Sequence, residues 1–505
     1  MSVSTLVLEK VRRPGRSRAN VLYLPVFVAV AFGLLIAWLP LLPAAVAVLA
    51  PFVLILIYIE PLVGVALMLI AAPWGALESV ALGAGLLDSG QFLFLVTVTI
   101  WLLRSAIAHR IVLRMTGFFF PLIVFIGVAA FTLLDAASLR SGLAELIKWL
   151  EIGAVALLGI DLSRTIDQRP AGHISGFVSG VGSWRILVGL ILLAGTSQAL
   201  IGIWQFGLRG SGPEHFQIAG GSFFRAYGTF EQPNPFGGFI SWIAALSIGT
   251  AGGEVMHWLA VKKIDRNHLI WLALLIAACA ASSLGLLFSW SRGAWLGFVV
   301  GIGFLLFYWP RRRAWGAVLL CAGLALLLFS LQFDLLPAAF EQRVASFTND
   351  MRLGDVRGAD INDANYSVLE RLAHWQAAVA MAQYNLWSGV GFGNYEAAYS
   401  DYALINWPFA LGHAHNYYLN ILAETGVPGF LAYVLFWVVV IWQTLTVIRN
   451  SDWPQRGVAL GLLASWIALS VHHLLDNLYV NNLYLYLGAM LGALQVLYER
   501  TCRKV

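Results

Sequence analysis

Apolar runs of about 17 to 22 residues recur along most of this chain, each separated from the next by a charged or Pro/Gly-rich connection. A helix rises about 1.5 Å per residue and needs roughly 20 residues to cross the hydrocarbon core of a bilayer, so each run has the length of a span. Of the 505 residues, 60% are hydrophobic and only 11% charged, too little polar surface to cover such a chain in water. The weak period-two alternation of an outer-membrane barrel is absent. The expected fold class is an all-α polytopic membrane protein with about 12–14 transmembrane helices and a long extracytoplasmic loop containing short helices.

Spans are expected near 21–40, 43–59, 61–74, 91–103, 117–134, 143–161, 184–206, 235–252, 268–289, 293–309, 314–333, 427–447, 457–475 and 481–498. The first follows a basic segment as a signal peptide would, but no small-residue cleavage site comes after it, so it reads as a retained span. The basic clusters, among them "VKKIDR", "RRR" at 311–313 and "RNSDWPQR", fall on one side of this arrangement, which the positive-inside rule makes the cytoplasm. The net charge of +5 is thus a matter of topology and implies no nucleic-acid partner. The organisation read from this pattern is a cytoplasmic basic arm at 1–20, transmembrane helices over 21–333 with an external loop at 207–234, a large extracytoplasmic loop at 334–412, an interfacial helix and the last spans over 413–498, and a cytoplasmic tail at 499–505. Cys279 and Cys321 lie in apolar runs and Cys502 in the tail, which excludes a disulfide framework.

The segment 334–412 holds no lysine and more Asp and Glu than Arg, which suits an external position. Within it, Val368, Leu369, Leu372, Trp375, Val379 and Ala382 recur at helical spacing and predict an amphipathic helix on or beside the membrane surface. Next comes "GHAHNYYLNILAETGVPGF", residues 412–430, where Gly426, Pro428 and Gly429 limit a helix to about His413–Thr425, too short to span. A helix throughout would place His413, Asn416, Asn420 and Glu424 in one polar stripe, whereas a helix starting near Asn416 would leave His415 in the approach. Interfacial capping and catalysis are both open to this stripe. Two histidines at i and i+2 do not chelate from one helix face, so no metal and no cofactor are expected. His472, His473 and Asp476 face the same side, either orienting a catalytic group or, the favoured reading, ending a span.

Three arginines also lie on the outer side near span ends: Arg225, Arg292 and Arg371. A guanidinium binds phosphate bidentately, so several converging on one cavity would make a pyrophosphate site, while a single one more commonly snorkels or forms a structural ion pair. Arg292 is the most telling, because it stands against the positive-inside bias in a tight turn. Pro233 and Pro235 fix the chain about Asn234, as the start of a span or the wall of a site. Glu145, Lys148 and Glu151, three residues apart on one helix, are expected to pair with one another.

These motifs resemble the bacterial O-antigen ligases and the related O-antigen polymerases. The late signature of that family, a histidine and Asn or Ser, nine residues, then two glycines three apart, is matched by His415–Asn416, Gly426 and Gly429. A "GTF…PN" turn is matched by Gly228 to Phe230 with Pro233 and Asn234, an "SRG" start by Ser291 to Gly293, and the long external loop by 334–412 with Arg371 in an "ER…W" setting. The resemblance covers roughly residues 200–450 by motif.

It implies a membrane glycosyltransferase of the bacterial inner membrane, metal-independent, working on the periplasmic side. The donor would be an undecaprenyl-pyrophosphate-linked glycan. The acceptor would be lipid A-core in a ligase, or a lipid-linked glycan in a polymerase; a protein-modifying oligosaccharyltransferase is a third branch. By the same resemblance Arg292 and Arg371, with Arg225 as a third, would hold the pyrophosphate and His415 would take the proton of the attacking hydroxyl, with Asn416, Asn234, His413 and Glu424 in support. From a different class, a polysaccharide or lipid transporter also fits the hydropathy, but it predicts inverted repeats and midplane ionisable sites that the sequence does not display.

Overall fold

The structure, a computed structural model, describes residues 40–83, 87–109, 117–168, 182–218, 221, 223–262, 265–333, 335, 355–362 and 365–502. The expected first span and basic arm, part of the long loop and the end of the tail lie outside the described residues. Residues up to Glu60 form a unit apart, described here only by its helix α1, Leu41–Ile59.

The second unit, from Pro61 on, begins with α2 (Pro61–Ala71), a 3-10 turn at Ala72–Trp74, α3 (Gly75–Leu82), α4 (Ser89–Ile107), α5 (Phe119–Phe131), α6 (Leu139–Gln168) and α7 (Ser183–Gly207). A two-stranded antiparallel ribbon follows, Gln217–Ile218 against Phe223–Phe224, with Gln217 opposite Phe224. Then come α8 (Pro233–Val261), α9 (Arg266–Phe288), α10 (Arg292–Tyr308) and α11 (Arg313–Gln332). The segment between α11 and the last helices contributes α12 (Tyr366–Tyr384) and α13 (Tyr395–Tyr402), and the chain ends with α14 (Tyr417–Asn450), α15 (Gln455–His472) and α16 (Leu483–Cys502). Among the described residues seven helices are long and apolar enough to cross a membrane, and three shorter apolar helices accompany them. The protein is an all-α polytopic membrane protein.

The tightest packing joins α8 to α15, α15 to α10 and α6 to α16. Small residues permit it: a Cβ on Gly253 would lie 2.7 Å from the Gly457 Cα, and one on Gly297 would lie 2.6 Å from the Ala468 carbonyl oxygen. In lipid, where burial of apolar surface drives little, such backbone approach supplies the van der Waals contact that holds helices together. At the basic end, the buried Arg456 donates to the carbonyls of Ile448, Tyr308 and Trp309, closing the open C-termini of two helices. The three cysteines are free.

Helices α12 and α13 have small cores of their own. Tyr395 and Tyr399 of α13 pack with Ala377, Ala378 and Met381 of α12, and with Ala414 and Ala423. Val368, Leu372 and Ala373 pack with Val356 and Trp407. The amphipathic helix expected here is present: Val368, Leu372 and Ala382 of the expected face are buried, joined by Ala373, Ala377 and Met381, while Val379 is exposed. The reason is that α12 packs against α14 and α13, and small residues suit a helix facing helices.

Candidate catalytic site

Of the two helix starts that the sequence allows, at His413 or near Asn416, the structure has the later one. Helix α14 starts at Tyr417, where the Asn416 side chain accepts from the backbone N–H of Tyr418 and Leu419, both at 3.1 Å. Such an N-cap contributes about 1 kcal/mol and pins the point where the chain leaves extended geometry. His413 and His415 therefore lie in the approach, not on a helical stripe. The break is also simpler than expected: Gly426 alone is non-helical, at φ 64° and ψ −169°, and the helix resumes through Pro428.

Gly426 has a task in this fold. Three backbone hydrogen bonds join the loop before α13 to the broken turn: Val390 N–H to Ala423 O, Gly391 N–H to Glu424 O, and Val427 N–H to Leu386 O, at 2.8 to 3.0 Å. A Cβ on Gly426 would stand 2.6 Å from the Trp387 carbonyl carbon. The left-handed φ and the missing side chain together admit the external loop to the helix backbone. The buried Glu424 completes the seam by accepting from the Tyr395 N–H at 3.1 Å, and Asn420 accepts from the Ala414 N–H at 3.0 Å. Both side chains thus hold the cap and the histidine approach in place.

The approach itself is held in strained geometry. His415 sits at φ 52°, a left-handed conformation uncommon for a side-chain-bearing residue. Its N–H donates to Nδ1 of His413 at 3.0 Å, and its carbonyl accepts from the Trp375 indole at 3.4 Å. Tyr417 donates its N–H to the His473 carbonyl at 2.8 Å, which binds the start of α14 to the end of α15. The turn after α15 then delivers Asp476: its Oδ1 lies 3.6 Å from Nε2 of His413 and 3.7 Å from Nδ1 of His415. Both ring nitrogens of His415 are buried without a hydrogen-bond partner. A buried polar atom left unsatisfied costs about 1–3 kcal/mol, a cost relieved when a ligand or water meets it.

The electrostatics are consistent with these contacts. Burial lowers the His413 imidazole to about 4 with help from His415, Arg371 and Lys148, against the opposing pull of Asp476. A neutral His413 whose Nδ1 accepts a backbone N–H must carry its proton on Nε2, directed at Asp476. Burial alone would raise the Asp476 carboxyl, but contact with His415 and the potential of His413 and His472 outweigh it and hold it well below the ordinary carboxylate range. The carboxylate in turn faces Nδ1 of His415, the arrangement that leaves an imidazole Nε2 lone pair for proton abstraction.

His413, His415 and Asp476 bring one ligand atom each within 4.8 Å of one another, a group the sequence spacing does not suggest. The accepting Nδ1 of His413, however, keeps Nε2 protonated, so the set offers a cation one lone pair fewer than its residue types imply.

The arginines arrive from three elements. Arg225, after the ribbon, donates to the Ser289 carbonyl at 3.0 Å and to Asn234 Oδ1 at 3.2 Å. The same Oδ1 accepts from the Ser291 hydroxyl at 3.1 Å, so Asn234 joins Arg225 to the start of α10, where Arg292 is the first helical residue. Beside Arg292, a Cβ on Gly293 would come 3.5 Å from Nε2 of His472, and the His472 carbonyl accepts from the Asp476 N–H at 3.0 Å. Arg371, on α12, has no ion-pair partner among the described residues, and its charge reaches both His413 and His472. Arg225 is thus tied through Asn234 to the residue before Arg292, and His472 lies between the start of α10 and Asp476.

Sequence reasoning ranked one participant too low and missed another. Asp476, for which ending a span was favoured over orienting a catalytic group, faces both histidines. His374, three residues after Arg371 on α12, stacks edge-on to His415 with ring centroids 5.7 Å apart. The Tyr395 hydroxyl donates to the His374 carbonyl and accepts from its Nδ1, both at 3.0 Å, and burial lowers this imidazole to about 4. The i, i+3 spacing of Arg371 and His374 was the available signal. Of the expected trio on α6, Lys148 pairs with Glu145, whereas Glu151 is buried and turned toward Tyr484 and Asp88.

The family model described as O-antigen ligase matches residues 277–434, a stretch that holds Arg292, Arg371, His374, His413, His415 and the Gly426 break. No curated protein matches the chain.

Proposed function

We propose that this chain, which belongs to the O-antigen ligase family through residues 277–434, is a glycosyltransferase of the bacterial inner membrane that moves a glycan from undecaprenyl pyrophosphate to an acceptor sugar hydroxyl on the periplasmic face. Lipid A-core is the acceptor in the ligase reading. In the reaction the acceptor oxygen bonds to the anomeric carbon while the bond from that carbon to the pyrophosphate oxygen breaks, and the electron pair leaves on the lipid pyrophosphate. The acceptor proton passes to Nε2 of His415. Asp476 orients the ring and stabilises the imidazolium, as a carboxylate does for a histidine base. Arg292, Arg371 and Arg225 neutralise the departing pyrophosphate by bidentate, charge-assisted hydrogen bonds, which are strongest where the charge develops. Pyrophosphate is a competent leaving group under such stabilisation, so the mechanism calls for no metal.

The observation that carries this reading is the half-buried His415 imidazole, its two ring nitrogens shut off without a hydrogen bond, facing the Asp476 carboxylate at 3.7 Å. The test is reconstitution of purified protein with lipid-linked glycan and, in separate reactions, lipid A-core or a second lipid-linked repeat. Transfer is expected to fall at least a hundredfold in His415→Ala and in Arg292→Ala. Normal transfer by both variants would overturn the assignment. Product formed only with the lipid-linked repeat would make the protein a polymerase.

A further inference from the structure

A cavity of about 360 Å³ opens beside His413, between the start of α6 and the docked external segment, within the size range of small-ligand sites. Glu145, Glu396, Glu424, Ser141 and Asn477 line it. Its inner wall includes Tyr417, 2% exposed, whose buried hydroxyl lies beside the Trp149 indole and near enough to Glu145 and Glu424 to feel their charge. Beside this phenol, the carboxylates, amides and hydroxyls of the cavity offer the acceptors and donors that a ring of hydroxyls uses. The three carboxylates are not among the described groups whose ligand atoms converge closely enough to share a cation.

We infer that this cavity is the acceptor-sugar subsite and that its acidic lining admits a neutral or amine-bearing sugar while rejecting a phosphorylated one. The inference rests on the transferase reading and deepens it. Carboxylates, side-chain amides and hydroxyls supply the paired acceptors and donors that a ring of hydroxyls needs. Lys148 is paired with Glu145 and the buried Glu424 is taken up by the Tyr395 N–H, so Glu396 supplies the unbalanced negative charge of the cavity. The arginines lie on other elements, beyond the His413–His415 approach. Charge thus differs across the histidines: a pyrophosphate is attracted to the arginines and repelled from the cavity, and the two substrates are sorted before they react.

The test uses the full chain in nanodiscs, with Tyr417→Phe, Glu396→Gln and Glu396→Lys beside the wild type. In transfer assays Tyr417→Phe and Glu396→Gln are expected to raise the acceptor KM at least fivefold while the donor KM stays within twofold. Loss of the buried hydroxyl is expected to leave the melting temperature unchanged or raise it. In saturation-transfer NMR without donor, methyl glucoside and methyl glucosaminide should bind the wild type and methyl glucoside 6-phosphate should not, with Glu396→Lys admitting the phosphate. Equal binding of the phosphorylated probe to wild type, or unchanged acceptor KM in both Tyr417→Phe and Glu396→Gln, would overturn the subsite while leaving the transferase intact. Absence of any transfer by wild type would overturn both.

Discussion

The backbone N–H of His415 donates to Nδ1 of His413 at 3.0 Å, so the orientation of one histidine ring is fixed by the main chain of the other. The bond fixes the His413 proton on Nε2, on the Asp476 side, and braces the left-handed backbone that presents His415. His413 is therefore a positioning residue whose value lies in an acceptor at the Nδ1 position. His413→Asn, whose amide oxygen can take that place, should keep the transfer rate within about tenfold of wild type, whereas His413→Ala should lose about a hundredfold, the scale of a misoriented catalytic group. Single-turnover rates at saturating substrates decide it; equal losses in both variants would rule out the acceptor role.

Asp476→Asn keeps the shape of the turn and removes the charge that faces both imidazoles. Loss of the orienting carboxylate should lower kcat by about a hundredfold or more, with donor and acceptor KM near their wild-type values. A rise in KM at unchanged kcat would instead make Asp476 a binding residue.

His374 carries a pH dependence that can be measured without activity. Its folded-state value, about 4, lies below the ordinary histidine value of about 6.5, so between these limits the unfolded chain binds the extra proton. Stability contributed by neutral His374 is complete above pH 6.5 and declines as the pH falls toward 4. Thermal unfolding of wild type and His374→Gln should diverge in that window, with the wild type losing more stability on acidification. Parallel curves would show that the ring is already charged in the folded protein.

Gly426→Ala tests the seam between the external segment and α14. The substitution forces a side chain into a left-handed φ and against the Trp387 backbone, a strain of about 2–4 kcal/mol for a buried position of this kind. A lower melting temperature, together with faster proteolysis of the loop at 386–394, is the expected result. Wild-type protease resistance would mean that the loop is held by other contacts.

The spans were legible because hydrophobic runs are local: the expected 184–206 and 314–333 fall within two residues of the helices at Ser183–Gly207 and Arg313–Gln332. The start of α14 at Asn416 was also within reach, since an Asn followed by apolar helix formers reads as a cap. Asp476 was not, because it meets His415 only after α14 and α15 have folded back on each other, and no local spacing records that return. Hydropathy equally could not show that Asn420 and Glu424 are consumed by backbone amides of the docked segment, which is why the two looked free to form a stripe. Asn234 lay between both cases: the prolines around it announced rigidity, while its task of joining Arg225 to Ser291 depends on the separate ribbon.

The main-chain pairing of residues 386–391 with 423–427 also sets the grain at which this protein can be re-engineered. Those bonds run from one stretch of main chain to another and read no side-chain identity, so a relative's version of either stretch could form them only if its partner kept the same curvature. A graft of the external helices alone would arrive at a helix broken at the wrong angle. The transplantable module is the loop, the histidine approach and the first two turns of α14, moved together.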